Sequence, residues 1–252
     1  MFFLYDHFQF QYEPFPIGLG KPLMAENVYK EFLDNYPSLD IFKSIPNKIG
    51  NKYSLSERFN SKEYKDFIRS NPLWLEFHRW IKSDEFVKGI MDMLREHHID
   101  LGYGLPPLPR KQYMMKFMRN LKRGKILRSV KLASRFEFSM LPAAGGHVLP
   151  HTDAPSKIVT MIVSMLREGE WKPAFGGGTD VNWPKSTDLS FNRLNRKADF
   201  EDMDVLHTYE FTPNQGVLFV KTFNSWHSVR PMTGIDPELM RKTLTINIEL
   251  AD

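Results

Sequence analysis

Residues 136–153, FEFSMLPAAGGHVLPHTD, decide the fold that this sequence predicts. The apolar, β-prone run 136–141 leads through a turn of small residues into a second strand candidate, 147–153. Taken alone, His151 and Asp153 are as compatible with a surface turn as with a functional motif. If both lie on a strand, however, their side chains point to the same face, because side chains alternate along a strand.

A series of short strands, with turn residues between them, occupies the C-terminal half of the chain. The candidate strands are 134–141, 147–153, 157–166, 175–182, 205–211, 216–221, 226–231 and 242–250. This number of short strands favours a two-sheet jelly roll over a parallel sheet. We therefore expect an α+β fold with a mainly β core and N-terminal helices packed on it. The chain is expected to form a single domain, 1–252, with its β core at 132–252 and a helical part with the first strands at 1–131.

Helical periodicity marks the N-terminal part of the chain. The expected helices are 22–36, 62–69, 73–82 and 84–97. Asp84 is the expected capping carboxylate of the last helix, and the polar stretch 38–60 is expected to be mostly loop. Residues 183–204 read as a polar insertion between core strands, and a lid and a plain surface loop are equally compatible with that stretch.

The composition is that of an ordinary globular protein, with 42% hydrophobic and 25% charged residues. The longest apolar run, 158–166, is too short to span a bilayer, which takes about 20 residues, and it reads as a buried strand. The N-terminus lacks the basic and apolar regions of a secretory signal. Cysteine is absent, which excludes disulfides and thiolate metal sites. We therefore expect a cytoplasmic protein that does not bind membranes.

Positive charge is concentrated in residues 110–135, which contain ten Lys or Arg residues and no acid, although the net charge is only +4. The pattern favours a solvated, partly amphipathic face. The alternative is a patch that attracts an acidic partner, such as a phosphate-bearing metabolite, a carrier protein or nucleic acid. We expect a small-molecule or peptidyl substrate, and the basic stretch suggests that this substrate is acidic. The sequence leaves the oligomeric state open.

Two histidines and one carboxylate are the candidates for a metal site. His151, Asp153 and His227 are the minimum set that holds Fe(II) on one face and leaves the other face open for chemistry. His227 begins a later strand candidate, so folding has to bring that strand alongside the first. These three residues are the predicted metal ligands and catalytic residues.

Further motifs surround this triad in a fixed order along residues 133–250. They are Phe138 to Pro155, Gly176-Gly177-Gly178, Pro213-x-x-Gly216-x-Leu218, His227-Ser228-Val229-x-Pro231 and Arg241-x-x-Leu244-Thr245. Their order resembles that of the 2-oxoglutarate- and iron(II)-dependent oxygenases, most closely the prolyl-hydroxylase-like branch. The resemblance implies a double-stranded β-helix, the jelly roll also called cupin-like. It also implies a dioxygenase that uses Fe(II), 2-oxoglutarate and O2, forms succinate and CO2 as co-products, and has ascorbate as a further candidate cofactor.

The resemblance also places residues around the 2-oxoglutarate. Arg241 opens the last strand, where this branch has its basic anchor, and a guanidinium can hold a carboxylate through two parallel hydrogen bonds. Thr245, on the same strand face as Arg241, and Ser164 are candidates for a hydroxyl contact. Ser164 stands where the family often has a tyrosine. Arg230 is a second candidate cation, either for an acidic substrate group or as a charge on the rim.

The substrate stays open at this point: a peptidyl or free amino acid, a sugar or a small metabolite. One alternative function is an oxidative nucleic-acid demethylase of the same superfamily. That branch typically carries a second arginine where this chain has Asn247, which makes nucleic acid an unfavoured partner. Another alternative is a cupin-like metal-binding protein without 2-oxoglutarate turnover, against which the intact triad and Arg241 argue.

Overall fold

Two antiparallel sheets form the core of the computed structural model, which describes residues 2–45, 51–102, 114–115, 118 and 131–251. The larger sheet contains β1 (Phe8–Gln11), β2 (Ile17–Gly20), β3 (Lys43–Ile45), β4 (Lys52–Leu55), β5 (Leu132–Pro142), β7 (Lys157–Ser164), β10 (Gly216–Val220) and β12 (Met240–Leu250). The smaller sheet contains β6 (Val148–His151), β8 (Thr179–Pro184), β9 (Met203–Tyr209) and β11 (His227–Val229). The strand orders are β1-β2-β10-β7-β12-β5-β4-β3 and β6-β11-β8-β9.

From β5 onward, the chain passes back and forth between the two sheets. β5, β7, β10 and β12 lie in the larger sheet, while β6, β8, β9 and β11 lie in the smaller one. This alternation is that of a jelly roll, so the predicted fold class is confirmed. All eight predicted strands are present, with shifted ends. The strand predicted from residue 175 begins only at Thr179, because Gly176 and Gly177 have φ values of 74° and 86° and turn the backbone.

Four further strands come from the N-terminal part and widen the larger sheet on both sides. β1 and β2 extend it beyond β10, and β4 and β3 extend it beyond β5. The stretch 38–60 therefore contains two strands, and the prediction that it is mostly loop is wrong there. Strands of three and four residues are too short for a periodic pattern to reveal them.

Four helices cover the outer face of the larger sheet: α1 (Glu26–Asp34), α2 (Ser61–Ser70), α3 (Pro72–Ile81) and α4 (Asp84–Glu96). All four correspond to predicted helices. The alternation along β5 explains their position, because Phe136 and Phe138 pack on Trp74 of α3, with ring centroids 6.2 and 4.6 Å away. Glu137 lies between these two phenylalanines and faces the space between the sheets.

The N-cap of α4 is Ser83, and the prediction of Asp84 in that role is wrong by one residue. The Ser83 Oγ accepts a hydrogen bond from the backbone N–H of Phe86 at 3.2 Å. Losing such a cap costs about 1 kcal/mol, so we expect Ser83→Ala to lower the free energy of unfolding by that amount in a urea titration. Ser70→Ala removes a serine hydroxyl at an exposed helix end that does not cap. Equal losses in the two variants would contradict the assignment.

The insertion between β8 and β9 is shorter than predicted, because β8 continues to Pro184 and β9 starts at Met203. It contains two short 3-10 helices, Thr187–Leu189 and Phe200–Asp202. Most of the basic stretch 110–135 lies outside the described residues, and its predicted role stays a prediction. Among the described helices, none is long and apolar enough to cross a membrane.

Candidate metal centre

Strand register brings the two candidate histidines together. β11 pairs with β6 in the smaller sheet, and His227 lies directly opposite His151 in that pairing. The centroids of the two imidazole rings are 4.3 Å apart. Folding thus supplies the strand pairing that the sequence required.

Asp153 completes the group from a turn rather than from a strand. β6 ends at His151, and Asp153 adopts a φ of 70°, a left-handed conformation that Asp tolerates better than most residues. Its carboxylate oxygens lie 3.7 Å from the His151 Nε2 and 3.9 Å from the His227 Nε2. Strand alternation therefore does not bring His151 and Asp153 together, contrary to expectation, and the turn after β6 does so instead. One ligand atom from each residue lies within 4.8 Å of the others.

Hydrogen bonds fix which imidazole nitrogen faces the centre. The Nδ1 of His151 donates to the carbonyl of Leu149, and the Nδ1 of His227 donates to the carbonyl of Ser225, both at 2.9 Å. Each ring therefore presents an unprotonated Nε2 to the carboxylate. Burial, followed by the neighbouring His227, lowers the pKa of His151 to about 3, and burial also lowers the pKa of His227. Both rings are neutral at pH 7, as metal ligation requires.

Two neighbours hold the carboxylate of Asp153. Lys157 donates to its Oδ1 at 2.6 Å, and Thr160 on β7 donates to its Oδ2 at 2.8 Å. Burial by itself would raise the pKa of Asp153, but Lys157 and the two histidines outweigh it and hold that pKa well below its usual range. Two neutral imidazoles and one ionised carboxylate are a donor set that fits Fe(II).

Removing the Thr160 hydroxyl should weaken the metal site without removing a ligand. We expect Thr160→Val to lower the affinity for Fe(II) by roughly 10-fold, because contacts that orient a ligand typically contribute 10- to 100-fold. Competition with a chromogenic chelator measures that affinity. Thr233→Val, at an exposed threonine outside the cavity, is the matched control. The same affinity in both variants would mean that Thr160 does not orient Asp153.

A cavity of about 280 Å³ extends from the triad into the space between the sheets. Arg241, Thr243, Thr245 and Asn247 line it from alternate positions of β12. The predicted anchor Arg241 and the predicted hydroxyl of Thr245 therefore share one cavity with the metal ligands. Ser164 is buried on β7 opposite Thr243, beyond the residues that line the cavity.

Arg241 is a buried cation within this cavity. Its Nε donates to the carbonyl of Gly177, and its guanidinium lies over the ring of Phe211, 4.8 Å from the centroid. Burial lowers its pKa to about 10. Within the described part of the chain, no carboxylate lies within ion-pair distance of Arg241. The guanidinium is thus buried without a carboxylate in direct ion-pair contact among the described residues, which is energetically costly.

The second candidate cation, Arg230, has a structural ion-pair partner. Arg230 is bound through Nε and Nη2 to the carboxylate of buried Asp180, both at 3.1 Å, so it forms a structural ion pair at the surface. Trp171 and Trp226 are each buried in a small apolar cluster.

The insertion contacts the turn that carries the ligands. Thr152, between His151 and Asp153, donates its hydroxyl to the carbonyl of Asn192 at 3.0 Å. Its backbone N–H donates to the side chain of Asn195 at 3.2 Å, and Asn195 also lines the cavity. Sequence reasoning missed these contacts, because they depend on how the insertion folds back. Whether the insertion moves as a lid stays a prediction.

No family model and no curated protein sequence matches the chain. The following solved structures are similar to the chain in fold. HygX from Streptomyces hygroscopicus, solved with nickel and 2-oxoglutarate, is 7% identical over 93% of this chain and 83% of that one, with a TM-score of 0.49. A Pseudomonas putida prolyl-4-hydroxylase is 11% identical over 93% and 92%, with a TM-score of 0.47. The α-ketoglutarate-dependent epimerase SnoN from nogalamycin biosynthesis is 12% identical over 90% and 74%, with a TM-score of 0.45.

Proposed function

We propose that this chain is an Fe(II)- and 2-oxoglutarate-dependent dioxygenase that hydroxylates its substrate. One observation carries the proposal: a buried guanidinium without a carboxylate partner in the described structure shares a cavity with a His-Asp-His triad. The triad has the donor set of an open Fe(II) site. Arg241 has the charge and the paired donors that a carboxylate of 2-oxoglutarate requires.

Each group in the cavity has a separate task in this proposal. His151, Asp153 and His227 would hold the iron, and Arg241 would bind the far carboxylate of 2-oxoglutarate, with Thr245 as a hydroxyl donor. Iron and 2-oxoglutarate supply the oxidation of a substrate C–H bond, with succinate and CO2 as co-products. Asp153, His227 and Arg241 are buried, which limits the access of water to the reacting groups. Candidate substrates are a peptidyl or free amino acid, a sugar or a small metabolite.

The arrangement of β12 argues against the two alternative functions. A metal-binding protein that does not use 2-oxoglutarate would have no use for the unpaired charge of Arg241. In the demethylase alternative, a second arginine is expected where Asn247 stands, and Asn247 is within hydrogen-bonding distance of Thr160, at 3.1 Å, beside the metal site.

Anaerobic titration of the Fe(II)-loaded protein with 2-oxoglutarate tests the proposal. We expect the weak visible charge-transfer band of an iron–2-oxoglutarate chelate to grow in and to saturate. On admission of O2, succinate should accumulate in proportion to the 2-oxoglutarate consumed. Iron binding without this band would overturn the proposal and leave a metal protein of another kind.

A further inference from the structure

The insertion between β8 and β9 presents large apolar side chains and unpaired positive charge to solvent. Phe191 is 63% exposed and Leu194 is 71% exposed, and Phe223 of the loop between β10 and β11 is 46% exposed. The rings of Phe191 and Phe223 pack together, with centroids 4.1 Å apart. Arg193 and Arg196 are exposed in the same loop, and neither guanidinium has a partner among the described residues. We call these five residues the basic platform. Large apolar side chains that cluster at the surface mark interaction sites.

Hydrogen bonds hold the backbone of the basic platform in place. The side chain of buried Asn192 donates to the carbonyl of Arg196 at 2.7 Å and accepts from its N–H at 2.8 Å. The backbone N–H of Asn192 donates to the carbonyl of Phe223 at 2.9 Å, and that of Ala198 donates to the carbonyl of Pro150 at 3.1 Å. The platform therefore has a defined shape before a partner binds, which lowers the entropic cost of association.

The end of the insertion and the start of β9 carry the opposite charge. The exposed carboxylates of this stretch are those of Asp199, Glu201, Asp202 and Asp204. Within the described chain, the cation at ion-pair distance from this group is Lys185, 4.0 Å from Asp204, so the stretch keeps a negative charge. Val205 and Leu206 follow and are 42% and 54% exposed. We call residues 199–206 the β9 edge, because β9 is the outermost strand of the smaller sheet as described. An apolar strand at a sheet edge is ready to contact another chain.

The basic platform and the β9 edge flank one small apolar core. Buried Trp226 packs with Leu189, Ala198 and Met203, and its Nε1 donates to the carbonyl of Leu189 at 3.0 Å. Leu189 and Ala198 belong to the insertion, and Met203 begins β9. The two surfaces thus belong to one compact element. A two-fold dimer requires such a self-complementary arrangement, in which each surface of one protomer meets the other surface of its partner.

We propose that this element binds a second copy of the chain in a two-fold dimer, with the basic platform of each protomer against the β9 edge of its partner. The guanidinium groups of Arg193 and Arg196 pair with the exposed carboxylates across the interface. The apolar side chains of the platform cover those at the start of β9. A membrane of anionic lipids or a nucleic acid matches this element less well, because its negative charge would be repelled by the β9 edge. The inference goes beyond the proposed function and does not depend on it.

Sedimentation-velocity centrifugation of the metal-free protein over a range of concentrations tests the dimer. We expect a concentration-dependent dimer that weakens as ionic strength rises, because salt screens exposed charges. Arg193→Glu/Arg196→Glu should raise the dissociation constant of the dimer at least about tenfold, because two charge contacts become repulsive. The control Lys65→Glu/Arg69→Glu reverses the same charges at exposed positions of α2 and should dimerise like the wild type. A wild type that is monomeric at every concentration would overturn the proposal, and its retention on anionic lipid vesicles would assign the element to a membrane instead.

A charge swap shows whether these two surfaces form the contact. Glu201→Arg/Asp204→Arg reverses the charge of the β9 edge and spares Asp199 and Asp202, which cap the short helix between them. This variant alone should be as monomeric as Arg193→Glu/Arg196→Glu. An equimolar mixture of the two variants should form a heterodimer, because both contacts of the two-fold interface then join opposite charges again. Far-UV circular dichroism confirms that each variant is folded. If the wild type dimerises but the mixture of folded variants does not, the dimer uses another surface and the proposal is wrong.

Discussion

The His227→Ala variant is expected to lose iron binding and, with it, all 2-oxoglutarate turnover. His227 supplies one of three ligands, and its Nε2 lies 3.9 Å from the carboxylate of Asp153. Contacts that merely orient a ligand typically contribute roughly 10- to 100-fold to metal affinity. Removing a ligand should therefore cost more than about 100-fold. Chelator competition under anaerobic conditions measures the loss, and the iron–2-oxoglutarate band should be absent.

The control for this variant is His207→Ala. His207 is an exposed histidine on β9 that does not line the cavity of the triad. His227 packs on Phe219, with ring centroids 4.1 Å apart, so alanine also removes buried contacts. Far-UV circular dichroism and the less disruptive His227→Gln separate loss of the ligand from loss of the fold. The ligand assignment is wrong if folded His227 variants bind Fe(II) as tightly as His207→Ala.

The β core was predictable because its pattern is local. Residues 136–153 contain a strand, a tight turn and a second strand, and turn residues separate most of the successive core strands. The short strands β3 and β4 were not predictable. They are stabilised by pairing with β5 and with each other, a tertiary interaction that has no signature in their own residues.

The metal ligands were predictable from the sequence, whereas the residues around them were not. His151 and Asp153 are adjacent in sequence and of a type that metal chemistry requires, so their motif is visible in one dimension. Thr160 contacts Asp153, and Asn247 lies next to Thr160, only through the register of β7 and β12 and the left-handed backbone of Asp153. Register depends on which strands pair, and single-sequence periodicity does not specify it.

Arg241→Met is the second variant with a large expected effect. Methionine retains an apolar side chain next to Phe211 and removes the charge. Losing one partner of a buried, hydrogen-bonded charge pair costs about 2–5 kcal/mol, so the affinity of the iron-loaded protein for 2-oxoglutarate should fall roughly 30- to 5,000-fold. The affinity for Fe(II) alone should not change, because Arg241 is not a ligand. Anaerobic titration of the charge-transfer band measures both quantities.

The same variant should change the stability of the 2-oxoglutarate-free protein in the opposite direction. Burial lowers the pKa of Arg241 to about 10, so the charged guanidinium opposes folding, and this cost is fully present at neutral pH. Arg241→Met should therefore unfold at the same or a higher denaturant concentration than the wild type. Arg230→Met is the control, because it removes the other candidate arginine. It also takes away the ion-pair partner of buried Asp180, so it should destabilise the fold without weakening 2-oxoglutarate binding. If Arg230→Met lost the cosubstrate and Arg241→Met kept it, the anchor would be Arg230.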